Sequence, residues 1–418
     1  MSTDAVADDA PLEPLEAEVL PRGLRSRFVD GVNGLRMHVL EAGHEPPERP
    51  LLLLLHGFPE LAYSWRSVMP ALADAGWHVV APDQSGYGRT TGWIGRRYDD
   101  DIAPFRPLNL VRDALGLVAA LGRRRVDAVV GHDFGSPIAA WCALVRPDVF
   151  PAVALMSAPF GGPPALPPLG VDAAAPAAGA ATRSASAAIA GLAGLSRPRK
   201  HYQWYYSTPE ADRDMLDAPQ GLHAFLRAYY HHKSADWPGN APHPLPDWSA
   251  ESLATLPDYY VMDEALDMPA TVAPHMPTPE RVAACRWLPD DALSVYAAEF
   301  ARTGFQGGLQ WYRCATGGRF LAEHQLFAGR RLDVPSLFVA GAADWGVHQK
   351  PGEFEAMQAA ACTDLRGVHL LEGAGHWVQQ ERPEAVAALL VDFVRDARRG
   401  PGRSRVRSPA GRAARARR

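Results

Sequence analysis

The stretch DAVVGHDFG occupies residues 127–135. Ala128, Val129 and Val130 form the uncharged run expected of a strand buried on both faces. The run stops at Gly131, and Asp133 stands between Gly131 and Gly135. SPIAAWCALVRPD (136–148) follows, with apolar residues at helical spacing and an end at Pro147. A strand, a sharp turn and a helix in that order lift one side chain above the end of a sheet, in the G-x-nucleophile-x-G arrangement. The glycines suit a tight turn with close backbone neighbours, and the helix N-terminus favours negative charge there. The lifted residue is an acid, already ionised near neutrality, and a carboxylate can attack carbon directly to form an ester. Taken alone, Asp133 reads equally well as a helix cap, a position where Asp is favoured.

Working outward, the same strand form recurs. RMHVLEAG (36–43) alternates as a half-buried strand does. LLLLLHG (51–57), WHVVAPD (77–83), AVALMSAP (152–159), PSLFVAGAAD (335–344) and GVHLLEGAGH (367–376) are apolar runs ending in turns. Between them, LNLVRDALGLVAALG (108–122) has helical spacing and a Gly stop. RPEAVAALLVDFVRDARR (382–399) is an amphipathic last helix with Pro383 in its first turn. Strands alternating with helices imply right-handed crossovers and a mostly parallel α/β sheet.

Residues 160–330 break the alternation and are too many for a loop. They read as an inserted cap, low in complexity and flexible over 161–196, then rich in Tyr and Trp. The core is therefore expected in two parts, 25–159 and 331–399. The acidic start (1–24) and the Arg-rich end (400–418) read as disordered.

Composition narrows the function classes. The chain has 418 residues, is 47% hydrophobic and carries a formal net charge of -5, which excludes a wholly disordered chain and an obvious polyanion binder. The reading is no nucleic-acid partner, with only a weak contact through the Arg-rich tail left open. No apolar run reaches the ~20 residues of a membrane span. Cys142, Cys285, Cys314 and Cys362 are far apart, which argues against a zinc site or a disulfide framework. With no basic, apolar leader at the start, the expected location is cytoplasmic. A homodimer is left open.

Three further signals fall at strand ends. HGFPE (56–60) follows the LLLLL run, where the N–H groups of Phe58 and Phe134 could converge on the oxygen of an attacked carboxyl group. His56 reads also as a loop brace. Asp344 ends one late strand and His376 the next, so both share the carboxyl edge with Asp133. The order nucleophile, acid, histidine suits a histidine base oriented by an acid.

These motifs resemble the α/β-hydrolase superfamily and, within it, the epoxide hydrolases, over about residues 25–395. The resemblance rests on HGFP (56–59), GYG (86–88), GHDFG (131–135), Asp344 and His376. It implies a mostly parallel eight-stranded sheet with helices on both faces and a mainly helical cap. KHYQWYYSTPE (200–210) and TGFQGGLQWYR (303–313) resemble the cap segments that each hold a catalytic tyrosine, which fall on Tyr202 and Tyr312. Ser85 stands before GYG, where basic residues often occur in the family, and 161–196 matches no family signature.

The resemblance implies a two-step hydrolysis of a small apolar epoxide by water. Asp133 attacks a ring carbon, Tyr202 and Tyr312 donate to the epoxide oxygen, and His376 with Asp344 activates the water. Phe58 and Phe134 form the oxyanion hole. His56, Pro59, Trp204, Tyr205 and Trp377 are expected to line the substrate. No cofactor and no metal are expected. A dehalogenase using the same Asp-His-Asp set is the first rival, with Trp204 and His201 as halide donors. A non-catalytic small-ligand binder on the same scaffold is the second.

Overall fold

The computed structural model describes residues 12–166 and 180–399. Ten strands lie in it: β1 (Leu24–Val32), β2 (Leu35–Ala42), β3 (Leu51–Leu55), β4 (His78–Pro82), β5 (Ala128–His132), β6 (Val153–Met156), β7 (Arg199–His201), β8 (Val261–Asp263), β9 (Ser336–Gly341) and β10 (Leu365–Leu371). Eight form one sheet in the order β1-β2-β4-β3-β5-β6-β9-β10. The β1–β2 and β2–β4 pairs are antiparallel, and every pair from β4 to β10 is parallel. This is the α/β-hydrolase fold expected from the sequence.

The central strands explain their own composition. All five leucines of β3 are buried, as are Ala128, Val129 and Val130 of β5, because helices cover both faces. Helices Pro107–Ala120 and Gly135–Val145 pack together on one face. Helices Met69–Asp74 and Pro383–Ala397 pack together on the other.

The chain between β6 and β9 forms the cap. Its framework is the helices Leu222–Lys233, Asp290–Thr303 and Gln306–Thr316, with a small antiparallel sheet of β7 and β8. Part of the low-complexity stretch expected to be flexible is regular: Ala180–Gly191 is helical, as its alanines favour, and Leu192 beyond it is fully buried. Residues 167–179 of that stretch lie outside the described residues.

Part of the N-terminal arm expected over 1–24 likewise has a defined place. From residue 12 the chain lies on the core, with one 3₁₀ turn at Ala17–Val19 and Leu15 and Leu20 packed against apolar neighbours. Tyr63 Oη donates to the Val19 carbonyl at 2.9 Å, and the Leu15 N–H donates to Ser26 Oγ at 2.8 Å. With Arg89 Nη1 donating to the Glu13 carbonyl at 2.5 Å as well, these contacts hold a segment that composition alone reads as solvated. Residues 1–11 and the tail from 400 lie outside the described residues. No helix among the described residues is long and apolar enough to cross a membrane.

Candidate active site

Asp133 sits one residue past β5 with φ 51°. This left-handed backbone costs a residue with a side chain roughly 1–2 kcal/mol. The turn is held because nothing larger than glycine fits around it. A Cβ on Gly131 would lie 2.0 Å from the Gly135 carbonyl oxygen, and one on Gly135 would lie 2.4 Å from the Leu55 carbonyl oxygen. Gly57 is constrained from the other side, since its Cβ would lie 2.4 Å from the Asp133 side chain. The carboxylate makes no cap to the following helix, whose N-cap is Phe134. Its Oδ1 instead accepts the Phe58 N–H at 2.9 Å.

His376 faces both acids. Its Nδ1 lies 3.0 Å from Asp344 Oδ1, and its Nε2 lies 3.2 Å from Asp133 Oδ2. The second contact is an ion pair, bent out of line for a hydrogen bond. Asp344 Oδ1 also accepts the Gly346 N–H at 2.7 Å, which fixes the carboxylate plane. All three residues are buried. Burial opposes ionisation of Asp133, but the His376 ring beside it outweighs that and holds the carboxyl below its usual range. Burial and Lys233 drive protons off His376, yet Asp344 and Asp133 prevail and raise its proton affinity.

Two phenols of the cap feel the charge of Asp133. Tyr202 follows β7 directly, and its N–H donates to the Tyr260 carbonyl at 2.8 Å, so the β7–β8 sheet places it. Tyr312 rides on helix Gln306–Thr316. That helix docks on the loop after β4 through Trp311 Nε1 to the Ser85 carbonyl at 3.0 Å and Gln310 Nε2 to the Gly95 carbonyl at 3.0 Å. The two rings meet edge to face with centroids 6.0 Å apart, and Tyr312 packs edge-on to Phe134 at 4.8 Å and Phe58 at 5.4 Å. Burial first, and the Asp133 charge second, hold both hydroxyls protonated well above the ordinary phenol value. Tyr202 Oη donates to Gln349 Oε1 at 3.1 Å and accepts from Gln203 Nε2 at 3.0 Å.

The residues expected to line the substrate are placed as follows. His56 is fully buried, with Nδ1 toward the Gly57 carbonyl at 2.9 Å and Nε2 accepting the Gln84 N–H at 3.1 Å, so it braces the loop. Pro59 is buried and offers its carbonyl to Tyr230 Oη at 2.7 Å, a cap–core tie. Trp204 is 37% exposed, with its ring edge-on to His201 at 5.4 Å. Its helix of four residues, Tyr202–Tyr205, puts Trp204 and Tyr202 on different sides. Tyr205 turns to Asp214 Oδ2 at 2.9 Å, inside the cap. Trp377 is fully buried, with Nε1 donating to the Tyr230 carbonyl at 2.8 Å and its ring edge-on to His376 at 4.7 Å. It sets the wall behind the histidine.

Sequence reasoning missed the support beneath the turn. Glu60 is fully buried, and its Oε2 lies 2.6 Å from His132 Nδ1 while accepting the Gly57 N–H at 3.0 Å. His132 Nε2 lies 2.7 Å from the His376 carbonyl oxygen. His132 Nε2 also lies 3.1 Å from Ser157 Oγ. The chain Glu60–His132–His376 thus ties the oxyanion loop, the elbow and the histidine loop together. The adjacency of Glu60 to HGFP and of His132 to Asp133 was the only available signal.

Among the described residues one group could be considered for a metal, His232, Asp258 and His275, whose ligand atoms lie within 4.8 Å. The two imidazoles stack at 3.7 Å with planes 26° apart, so their lone pairs run side by side and do not converge. The surface cleft lined by Arg227, His231, Asp236, Arg281 and Trp287 contains no residue of the Asp133–His376–Asp344 group.

The pattern of the α/β-hydrolase fold family matches residues 50–184. The chain is 34% identical to epoxide hydrolase A of Mycobacterium tuberculosis, over 88% of this chain and 96% of that protein. It is similar to the solved epoxide hydrolase from an endophytic Streptomyces, with TM-score 0.70, 31% identity, and 91% and 97% of the two chains covered. It is also similar to epoxide hydrolase I of potato, with TM-score 0.64 at 28% identity, covering 89% and 99%.

Proposed function

Because the chain belongs to the epoxide hydrolases of the α/β-hydrolase fold, we propose that it opens an epoxide to a vicinal diol through an ester on Asp133. The observation that carries the reading is the placement of one carboxylate between an N–H donor and a histidine, with its charge felt by two phenols of the cap. An Asp nucleophile suits attack on sp³ carbon, and phenols suit a strongly basic alkoxide leaving group. The paired tyrosines favour an epoxide over a carbon–halogen bond.

In the first step an Asp133 oxygen forms a bond to a ring carbon and that carbon's bond to the epoxide oxygen breaks. The oxygen takes a proton from a phenol of Tyr202 or Tyr312. Tyr202 needs only to swing its O–H away from Gln349. In the second step His376 accepts a proton from water, and the water oxygen attacks the Asp133 carbonyl carbon. The Phe58 and Phe134 N–H groups hold the resulting oxyanion, each such donor contributing roughly 3–4 kcal/mol. Collapse breaks the bond from that carbon to the alcohol oxygen, which takes the proton from His376. The second proton of the water restores the phenol, and Asp133 returns as a carboxylate.

The test is a single turnover in water labelled with heavy oxygen, with enzyme in excess over a styrene oxide-type epoxide. The label should appear in the peptide bearing Asp133 and not in the diol. Label in the diol after one turnover would mean direct attack of water on the ring and would end the ester proposal.

A further inference from the structure

Lys233 ends the helix Leu222–Lys233 and is 3% exposed. Its ammonium makes no hydrogen bond or ion pair among the described residues. It lies among four rings, with Nζ 5.1 Å from the centroid of Tyr260, 5.4 Å from Tyr229 and from Trp377, and 5.8 Å from Tyr259. Ring faces attract a desolvated cation but carry no net charge, so they tolerate the ammonium without neutralising it.

The backbone ties this residue to the His376 loop, and the Trp377 ring stands against both the ammonium and the His376 ring. The Lys233 carbonyl accepts the His376 N–H at 2.9 Å, and a Cβ on Gly375 would stand 2.7 Å from that same oxygen. Glu381 Oε2 bridges the two segments by accepting the Gly375 N–H at 3.0 Å and the Ala235 N–H at 2.9 Å. The chargeable groups facing Lys233 come from several elements. Tyr229 and His232 share its helix, Tyr259 and Tyr260 precede β8, and Asp133 and His376 lie on the core. His376 is faced in turn by Asp344 and by the His132 ring at 5.1 Å.

We propose that Lys233 is an electrostatic positioning residue, whose fixed positive charge favours the Asp133 carboxylate before attack and keeps His376 free to take a proton from water afterwards. The proposal rests on the aspartyl-ester reading. At rest two carboxylates flank His376 and favour its protonated form. Esterification removes the Asp133 charge, the extra proton leaves to solvent, and Asp344 alone then opposes Lys233. Behind burial, Lys233 is the largest influence driving protons off His376. It also follows burial and His376 among the influences on Asp133, favouring its ionised form.

The experiment compares wild type with Lys233→Met, Lys233→Gln and Lys233→Arg by rapid mixing with styrene oxide from pH 5 to 9. Intact mass follows formation and decay of the ester separately. In both neutral variants the acid limb of ester decay should move up by about one pH unit, a tenfold slower decay on that limb. Lys233→Arg should restore the midpoint even where its absolute rate is lower. A variant that takes up the epoxide as an adduct is folded by that criterion. Neutral variants that keep the wild-type midpoint would overturn the proposal. Should neither neutral variant fold, a displaced midpoint in Lys233→Arg would do the same, and a retained one would support it. If wild type itself forms no adduct, the ester reading has failed, which is distinct from an unmoved midpoint.

Discussion

The Phe58 N–H donates to Asp133 Oδ1 at 2.9 Å, so one oxygen of the carboxylate already occupies the donor site that an ester carbonyl oxygen would use. Its other oxygen, Oδ2, faces His376 at 3.2 Å. The two oxygens of the carboxylate are thus inequivalent, and in the proposed reaction the held one becomes the ester carbonyl and the other attacks.

Replacing His376 with Gln should stop the second step and spare the first. Mass spectrometry after mixing with epoxide is expected to find a stable adduct on the peptide bearing Asp133, absent in Asp133→Ala. An unmodified peptide across a broad epoxide panel would point to a binding protein.

Tyr202→Phe and Tyr312→Phe should each slow ester formation by about 10²–10³-fold, the usual cost of one lost donor at a developing anion. Trp204→Ala, at an exposed position, should leave the rate within a factor of about two. Pre-steady-state ester formation distinguishes these outcomes, and a large loss in the Trp204 variant would overturn this reading of an exposed position.

Asp344→Asn removes the charge that, against burial and Lys233, raises the proton affinity of His376. The acid limb of ester decay should therefore move to lower pH. The rate itself should fall by about 10²–10⁴-fold, because the ring loses its orienting acceptor. A limb that moved upward would refute this sign.

Glu60→Gln should destabilise the fold by roughly 3–5 kcal/mol, since it breaks a fully buried carboxylate–imidazole pair. Chemical denaturation measures this directly. A loss below 1 kcal/mol would show that the Glu60–His132 pair is not ionic.

Asp113 is buried with one oxygen bound by Asn33 Nδ2 at 2.6 Å and the other without a partner. Burial pushes its carboxyl up to about 7 from an ordinary 3.8. The folded protein thus keeps a proton that the unfolded chain releases. The stability this proton lends is whole below pH 4 and is lost as pH rises through 7, to the order of 4 kcal/mol. Asp113→Asn should melt higher than wild type at pH 8, with the advantage shrinking towards pH 4. Parallel melting curves in both variants would rule this out.

Much of the site was legible because its parts sit at strand ends. DAVVGHDFG, HGFPE, Asp344 and His376 each follow an apolar run, and the parallel sheet brings such ends to one edge. Lining residues were less legible. His56, Tyr205 and Trp377 lie beside the right motifs in sequence, but each spends its polar atoms on protein neighbours: His56 and Tyr205 within their own layers, Trp377 on the cap carbonyl of Tyr230. The strand β7, only three residues long and reading Arg-Lys-His, carries no alternation, yet it positions Tyr202. Ala180–Gly191 was masked by low complexity that also happens to favour a helix.

The order and polarity of local segments determined the sheet, the elbow and the acid raised on it, since each depends on backbone sterics and burial within a few residues. The tertiary structure alone decided the rest. It seats Lys233 against His376 from 143 residues away in the chain, joins Glu60 to His132, and leaves Trp204 exposed. Those outcomes depend on how the cap closes on the sheet, and the close approach of distant side chains leaves no periodic trace in the sequence.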